Sequence, residues 1–419
     1  MKFLLAILML IVPLALAFAE ARSRAFLPSE GVFRVAMRDS VSWLEMEKNT
    51  DYFICTDDVH GGFWKVNDFS YKKEENCIRL NSGNYVKDGK IWYVTRMGNV
   101  RTIHFLVGMK YVDLSTEKHW VGFEGADYVV KGNRRQPFKD SLRLESIDEI
   151  LAVDEYKVTE CEFVHALWDS IPEKVSAGLD SNSIFWIEKK KSMKKGGLCD
   201  AHDSAAVRVR LYHAFLYANM RSLRDGFRPV YSLEKANDAR RSFQEDGSFN
   251  ILKTGFADVQ GDSSIVHVKE DKDADGYRLP FYYEWVALAG ADDSTEIQGK
   301  AWFGIRDRND VYSKMDKRKY MDSFYLEGSC GKWLQKSRPV GMLPPNAYGL
   351  YDMFGLVCER VLLPGKSIFY ADIASCKGGF LTSLREELNV RTHCDDDGFD
   401  LIPFQGLRLV REIKGDKIF

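Results

Sequence analysis

After Ala19 the chain has no apolar run long enough to cross a bilayer, which excludes a membrane-spanning helix beyond the first residues. It also lacks an excess of either charge. Lys and Arg number 59 against 61 Asp and Glu, so the long-range field that draws proteins to nucleic acid or anionic lipid is absent. No Cys-x-x-Cys occurs, which removes a thioredoxin-type redox site and a zinc knuckle. There is no G-x-S-x-G, no P-loop and no dinucleotide fingerprint, so serine and phosphate mechanisms have no support. Histidine is scarce in the N-terminal part: His60 comes first, then His104 and His119, with no i, i+4 pair to hold a metal on a helix.

What is present is a globular composition, 45% apolar and 13% aromatic over 419 residues, enough for one large core or two ordinary ones. The first residues read as a secretion signal. Lys2 gives the positive start, Phe3 to Leu16 the apolar stretch, and Ala17, Phe18 and Ala19 the small-residue cleavage pattern. Pro13 breaks the stretch, which is shorter than the ~20 residues of a membrane span, so residues 1–19 are expected to be removed and the mature chain to begin at Glu20. The first cysteine is Cys55, which leaves no thiol at the cleavage point for lipidation. The expected location is therefore periplasmic or extracellular, where the eight cysteines (Cys55, Cys77, Cys161, Cys199, Cys330, Cys358, Cys376, Cys394) can form disulfides; spacing alone does not fix their connectivity.

Residues 20–103 form a strand-rich segment, in which runs such as Gly31 to Ala36 and Lys90 to Thr95 lie between turn signals, the latter between Asp88-Gly89 and Gly98-Asn99. No motif in this segment carries chemistry. From Gly108 onward the pattern turns to a few amphipathic helices separated by Gly- and aromatic-rich connections. Thr159 and Glu162 make a capping box that opens one helix, with Phe163, Leu167 and Ile171 on its buried face. A second helix is predicted to start near Asp203 and to carry Val209, Tyr212, Leu216, Met220 and Leu223 before Gly226 stops it. A third is predicted from Pro280, at the first helical position, to Gly290. The basic run Lys189 to Lys195, flanked by Gly196 and Gly197, reads as a solvated loop. Asp271 to Gly276 opens like a calcium-binding helix-loop-helix loop, but Tyr282 stands where that loop needs a bidentate glutamate, so an acidic surface turn is expected. Asp395 to Asp397 reads as another solvated turn.

Several ordered words then share one resemblance. Tyr156 to Phe163 is similar to "YEVT..EF". Arg208 to Ser222 with Pro229-Val-Tyr231 matches "VSW.DA..YCNWLS…PVY". Asp275 to Pro280 with Glu284-Trp285 matches "GYRLPTEAEWE", and Arg338 to Gly341 followed by Pro344 to Gly355 matches "RPVG…PPNAFGLYDMxGNVWEW". Lys377-Gly-Gly379 and Gly406 to Val410 match the closing "RGGSW…GFRLV". Residues 104–413 thus resemble the formylglycine-generating-enzyme (sulfatase-modifying factor) family. The resemblance implies an α+β, C-type-lectin-like fold with little regular secondary structure, preceded here by the small strand-rich segment.

Enzymes of that family oxidise a target cysteine to formylglycine through a copper-bound cysteine pair just after the Gly-Gly-Ser word. Here Phe380 replaces the serine, and the pair falls on Ser383 and Leu388. Copper(I) needs soft thiolates and a leucine ligates nothing, so copper is not expected and no catalytic residue is assigned. Cys376 and Cys394 bracket the segment and are read as a disulfide or as core thiols, and His393 beside Cys394 is weak evidence for a metal or nucleophile site. The family's structural calcium loop maps onto Asp352, Gly355, Val357 and Glu359, a hard oxygen set that suits Ca²⁺. The expectation is an exported, noncatalytic binding or structural module acting on an unidentified envelope or extracellular protein or glycan partner, with no nucleic acid. The alternative is a metal-dependent oxidase of a protein or peptide side chain with altered active-site residues. A third reading, a carbohydrate-binding module, rests on aromatics such as Trp302 and Trp333.

Overall fold

The computed structural model describes residues 32–35, 41–67, 69–123, 130–131, 134–135, 141–175, 181–200, 203–236, 248–252, 265–290, 338–363, 374–379, 390, 393–395 and 404–414. The chain divides into two compact units, one reaching to Tyr111 and one running from Val112 to Lys417. No helix among the described residues is long and apolar enough to cross a membrane.

The first unit is built of strands β1 (Val32–Val35), β2 (Val41–Met46), β3 (Asp51–Thr56), β4 (Gly62–Val66), β5 (Tyr71–Glu74), β6 (Cys77–Asn81), β7 (Lys87–Thr95) and β8 (Val100–Val107). They form two four-stranded sheets, ordered β1-β3-β6-β5 and β2-β8-β7-β4. Alternation is what makes these segments strands: in β7, Ile91, Tyr93 and Thr95 are buried while the residues between them are only half-buried. Leu44, Ile91, Ile103 and Phe105 of one sheet meet Tyr52, Ile54, Ile78 and Leu80 of the other in a single core. The Cys55–Cys77 disulfide joins β3 to β6, where the two residues face each other in the ladder. Gly98 and Asn99 form the expected turn, with Thr95 donating to the Asn99 carbonyl. Asp88 and Gly89, expected to be a turn, lie inside β7 instead, opposite Leu106 and Phe105; the β8 ladder supplies their backbone partners and so overrides their turn preference.

The second unit is α+β. Its strands are β9 (Met109–Asp113, which spans the boundary), β10 (Lys118–Phe123), β11 (Val130–Lys131), β12 (Arg134–Arg135), β13 (Ser141–Ser146), β14 (Ile150–Asp154), β15 (Tyr231–Ala236), β16 (Phe249–Leu252), β17 (Ile265–Glu270), β18 (Cys358–Leu362), β19 (Ala374–Lys377), β20 (His393–Asp395), β21 (Gln405–Gly406) and β22 (Val410–Glu412). The sheets that frame the site are β22-β14-β9 and β20-β19-β18-β21.

The described helices are α1 (Glu160–Ala166), α2 (Ser181–Lys191), α3 (Leu211–Arg224) and α4 (Tyr282–Ala289). α1 opens with the predicted capping box, and Phe163, Leu167 and Ile171 are buried as their spacing requires. α2 corrects the reading of the basic run. Lys189, Lys190 and Lys191 form its last turn, where cations suit the helix dipole, and Lys190 is buried, donating to the carbonyls of Trp168 at 2.8 Å and Ile171 at 2.7 Å. α3 begins at Leu211 rather than near Asp203, because Ser204 and Ala205 are spent in bridges to Pro339 and Thr159. Its predicted apolar face is not the inner one: Leu223 is 59% exposed, whereas His213, Phe215, Tyr217 and Arg221 are buried. Arg221 turns the helix by pairing with Asp154 of β14. α4 starts two residues later than predicted, with Phe281 as its cap and Pro280 just ahead of it, and stops at Gly290 in the left-handed conformation, φ 65°. Its Trp285, Val286 and Leu288 pack with Leu151, Val153, Leu350, Met353, Val361 and Val410, and full burial of each such side chain stabilises the fold by roughly 1.5–3 kcal/mol.

Candidate functional site

Glu359 of β18 is the centre of a closed ionic cluster. β18 lies between β19 and β21, every residue of it buried, so the carboxylate has no access to water. Lys157 Nζ donates to Oε1 at 2.6 Å, and neither side chain has any exposed surface. Arg408 donates to both oxygens, through Nε at 3.1 and 3.2 Å and through a terminal nitrogen at 3.0 Å. Trp285 Nε1 donates to Oε2 at 2.8 Å. The remaining guanidinium hydrogens of Arg408 go to the carbonyls of Asp154 and Glu155, at 2.6 and 2.9 Å, and of Tyr351, at 2.5 Å. Burial pushes the Glu359 carboxyl up, but Arg408 and Lys157 outweigh it and hold the group below the usual carboxylate range. Burial pulls the Lys157 ammonium below its ordinary value, and the Glu359 charge opposes that fall.

The loop ahead of β18 carries three of the four residues of the expected calcium set, and the strand itself carries the fourth. Asp352 is buried with φ 55°, a left-handed conformation tolerated by aspartate, and its Oδ2 accepts from the Gly341 amide at 2.7 Å. Gly355, also left-handed, donates to the Gly378 carbonyl at 2.6 Å. Gly378 has φ +86°, and a side chain there would meet the Met353 carbonyl oxygen at 2.4 Å, so the Gly-Gly word is dictated by the close approach of these loops. Asp352, Gly355 and Val357 lie in the loop that leads into β18, and Glu359 is the second residue of that strand. They do not fit a calcium ion, because the Glu359 oxygens that would ligate it are taken by two cations and an indole.

More buried charges surround this centre. Arg221 pairs with Asp154 at 2.8 Å, and Asp154 Oδ2 also accepts from the Leu409 amide at 3.0 Å. Arg278 clamps Glu284 with two bonds, 2.7 and 2.5 Å long, while Glu284 caps α4 through the Phe281 amide. Lys377 Nζ, buried, donates to Tyr282 Oη at 3.0 Å and the Val390 carbonyl at 2.6 Å, and lies 4.3 Å from the Tyr282 ring centroid. Burial pushes the Glu149 carboxyl up to about 8, and the charge of neighbouring Glu284 adds to the rise.

The thiols are largely committed. Cys358 is bonded to Cys376, tying β18 to β19, and Cys161 of α1 is bonded to Cys199. Cys376 is thereby removed as a substitute copper ligand. Backbone pairing sets it opposite Cys394 of β20, with His393 opposite Lys377. Ser383 and Leu388, with Phe380, lie outside the described residues, as do Cys330, Trp302, Trp333, Asp396 and Asp397. One group of metal-ligating atoms is found among the described residues: Cys161, His165 and Cys199, within 4.8 Å of one another. Both its sulfurs are already joined in the disulfide.

Sequence reasoning left the partners of Glu359 unassigned. A signal for them was there: Arg408 is flanked by Leu407 and Leu409, Lys157 by Tyr156 and Val158, and charges set in apolar strings are bought inside only when they meet one another. At Lys157 the chain also departs from "YEVT", which has glutamate there.

Residues 114–413 match the sulfatase-modifying factor enzyme 1-like domain. The chaperone protein LppX of Paenibacillus barcinonensis is 26% identical over 220 residues, covering 49% of this chain and 68% of that protein. Among solved structures, the chain is similar to PvdO from Pseudomonas aeruginosa (18% identity, TM-score 0.37, 72% of this chain and 94% of that one). It is likewise similar to CarF (18%, 0.37, 71% and 98%) and to Treponema denticola variable protein 1 (18%, 0.39, 78% and 99%). With the family match spanning most of its length, the chain belongs to the sulfatase-modifying factor enzyme 1-like (formylglycine-generating-enzyme) family, as a divergent member with that family's α+β fold.

Proposed function

We propose that the chain is an exported, noncatalytic member of its family, a binding or structural module in an envelope or extracellular assembly. The observation that carries this reading is the identity of the two positions where the family has its copper-binding cysteines: Ser383 and Leu388. A leucine has no ligand atom, and a serine is a hard donor that does not replace a thiolate for copper(I). The thiol that could have moved in from β19, Cys376, is held in a disulfide. Export is supported by the Lys2 to Ala19 pattern and by the disulfides, which persist in oxidising compartments. The partner is an envelope or extracellular protein or glycan. The similarity to a protein named as a chaperone is in keeping with a binding role.

The test is to incubate the purified exported chain with copper, oxygen and a cysteine-containing peptide and to follow the peptide by mass spectrometry. Unchanged peptide is expected, together with an N-terminus at Glu20 and no copper or iron retained after dialysis. Turnover of the cysteine, or stoichiometric redox metal, would overturn the reading in favour of an oxidase with rebuilt ligands.

A further inference from the structure

We propose that the buried ammonium of Lys157 is the resident cation of the Asp352–Glu359 loop, so that this chain holds by an internal charge the turn for which a calcium ion would otherwise be needed. Glu359 and Asp352 bring two negative charges into the protein interior, and both side chains are buried. Lys157 and Arg408 bring two positive charges, buried to the same degree. The sum is zero without any ion.

A divalent cation added to this set would leave two uncompensated positive charges in an interior where even one is strongly disfavoured. It would also have to displace Lys157 from Glu359 Oε1, a 2.6 Å bond, or Trp285 and Arg408 from Oε2. The position of the ammonium is what makes it a substitute. It touches the glutamate that closes the loop, and the charge of Asp352, which opens the loop, also acts on it. Lys157 is the residue at which the chain departs from the "YEVT" word. Replacing the carboxylate of that word by an ammonium changes the local charge by two units, equal to the charge of one calcium ion. Arg408 cannot fill this role by itself, since its other hydrogens are committed to the Asp154, Glu155 and Tyr351 carbonyls.

The experiment compares thermal unfolding of the full chain and of Lys157→Met and Lys157→Arg, each measured in EDTA, in CaCl₂ and in MgCl₂. The wild type and Lys157→Arg are expected to unfold at the same temperature in all three. Lys157→Met is expected to gain a calcium-specific rise of roughly 5 °C at calcium about 100-fold above its dissociation constant. A calcium-dependent rise in the wild type, or about one calcium per chain surviving dialysis against chelator, would overturn the proposal. So would a folded Lys157→Met protein indifferent to calcium. If Lys157→Met does not fold in chelator, recovery on refolding with calcium but not magnesium is the expected result, and failure in both is the contrary one.

Discussion

Lys157 and Glu359, 202 positions apart in sequence, meet as a fully buried ion pair 2.6 Å long. The pair ties the strand-to-helix connection before α1 to the centre of the β18 sheet, and Arg408 binds the same carboxylate from the far end of the chain. The two partners are not equivalent. Removing Lys157 leaves Glu359 still bonded by Arg408 and Trp285, whereas removing Glu359 leaves two buried cations without their counter-charge. Glu359→Leu is therefore expected to lose about 3–5 kcal/mol of stability and Lys157→Met distinctly less. Urea unfolding of both variants checks this, and equal losses would mean that Arg408 contributes nothing to holding the carboxylate.

Two disulfides of the second unit close loops of different length, with sequence separations of 38 for Cys161–Cys199 and 18 for Cys358–Cys376. If their main effect is on the unfolded chain, replacing the first pair by alanine costs about 4 kcal/mol and the second about 3 kcal/mol. The measurement is denaturant unfolding of the two double variants with and without a dithiol reductant. Reductant should lower the wild-type midpoint more than that of either variant. A variant with the wild-type midpoint would show that those thiols are not cross-linked in the folded protein.

Gly378 and Gly226 both adopt positive φ, +86° and +80°, yet they should respond differently to alanine. At Gly226 a methyl group would meet nothing within 4 Å, leaving only the left-handed backbone penalty of about 1–2 kcal/mol. At Gly378 it would lie 2.4 Å from the Met353 carbonyl oxygen and 3.1 Å from the Trp285 ring, neither of which can withdraw, as both belong to the packed core around Glu359. Gly378→Ala is expected to cost more than about 3 kcal/mol or to prevent folding. Similar melting temperatures for the two variants would mean that the loop after β19 does not approach the Met353 carbonyl this closely.

The local features were legible in the sequence because each depends on neighbours in the chain. Thr159 and Glu162 form the capping box from three residues apart, and Gly290 ends α4 through its own backbone freedom. The words around Glu284-Trp285 and Gly406 to Val410 carried the family and hence the fold. What was not legible depends on charges meeting across the chain. On α3 apolarity points to Met220 and Leu223 as the inner face, whereas the buried face carries Arg221, paired with Asp154. A lysine in a basic run such as Lys190 gives no sign in the sequence of the two α1-side carbonyls that receive it. Glu359 suits calcium by residue type, and nothing beside it in the chain announces the two cations and the indole that occupy its oxygens.

Glu149 offers a test of the charge arrangement by pH. Tyr283 Oη donates to its Oε1 at 2.8 Å, and Glu284, which Arg278 neutralises from the other side, lies close enough for its charge to act on Glu149. Burial and that neighbouring charge both favour the protonated form, taking the group up to about 8 from an ordinary value of 4.5. The folded chain thus binds a proton more tightly than the unfolded one. The associated stability is fully present below about pH 4.5 and is lost as pH rises through about 8, so over this window Glu149 makes the protein less stable with each step toward alkaline pH. Glu149→Gln keeps the hydrogen-bonding shape without the proton equilibrium. Its melting temperature is expected to fall less than that of the wild type between pH 5 and pH 8, with the two curves diverging most at the alkaline end. Parallel curves across that range would mean that Glu149 is ionised in the folded protein and that water reaches it.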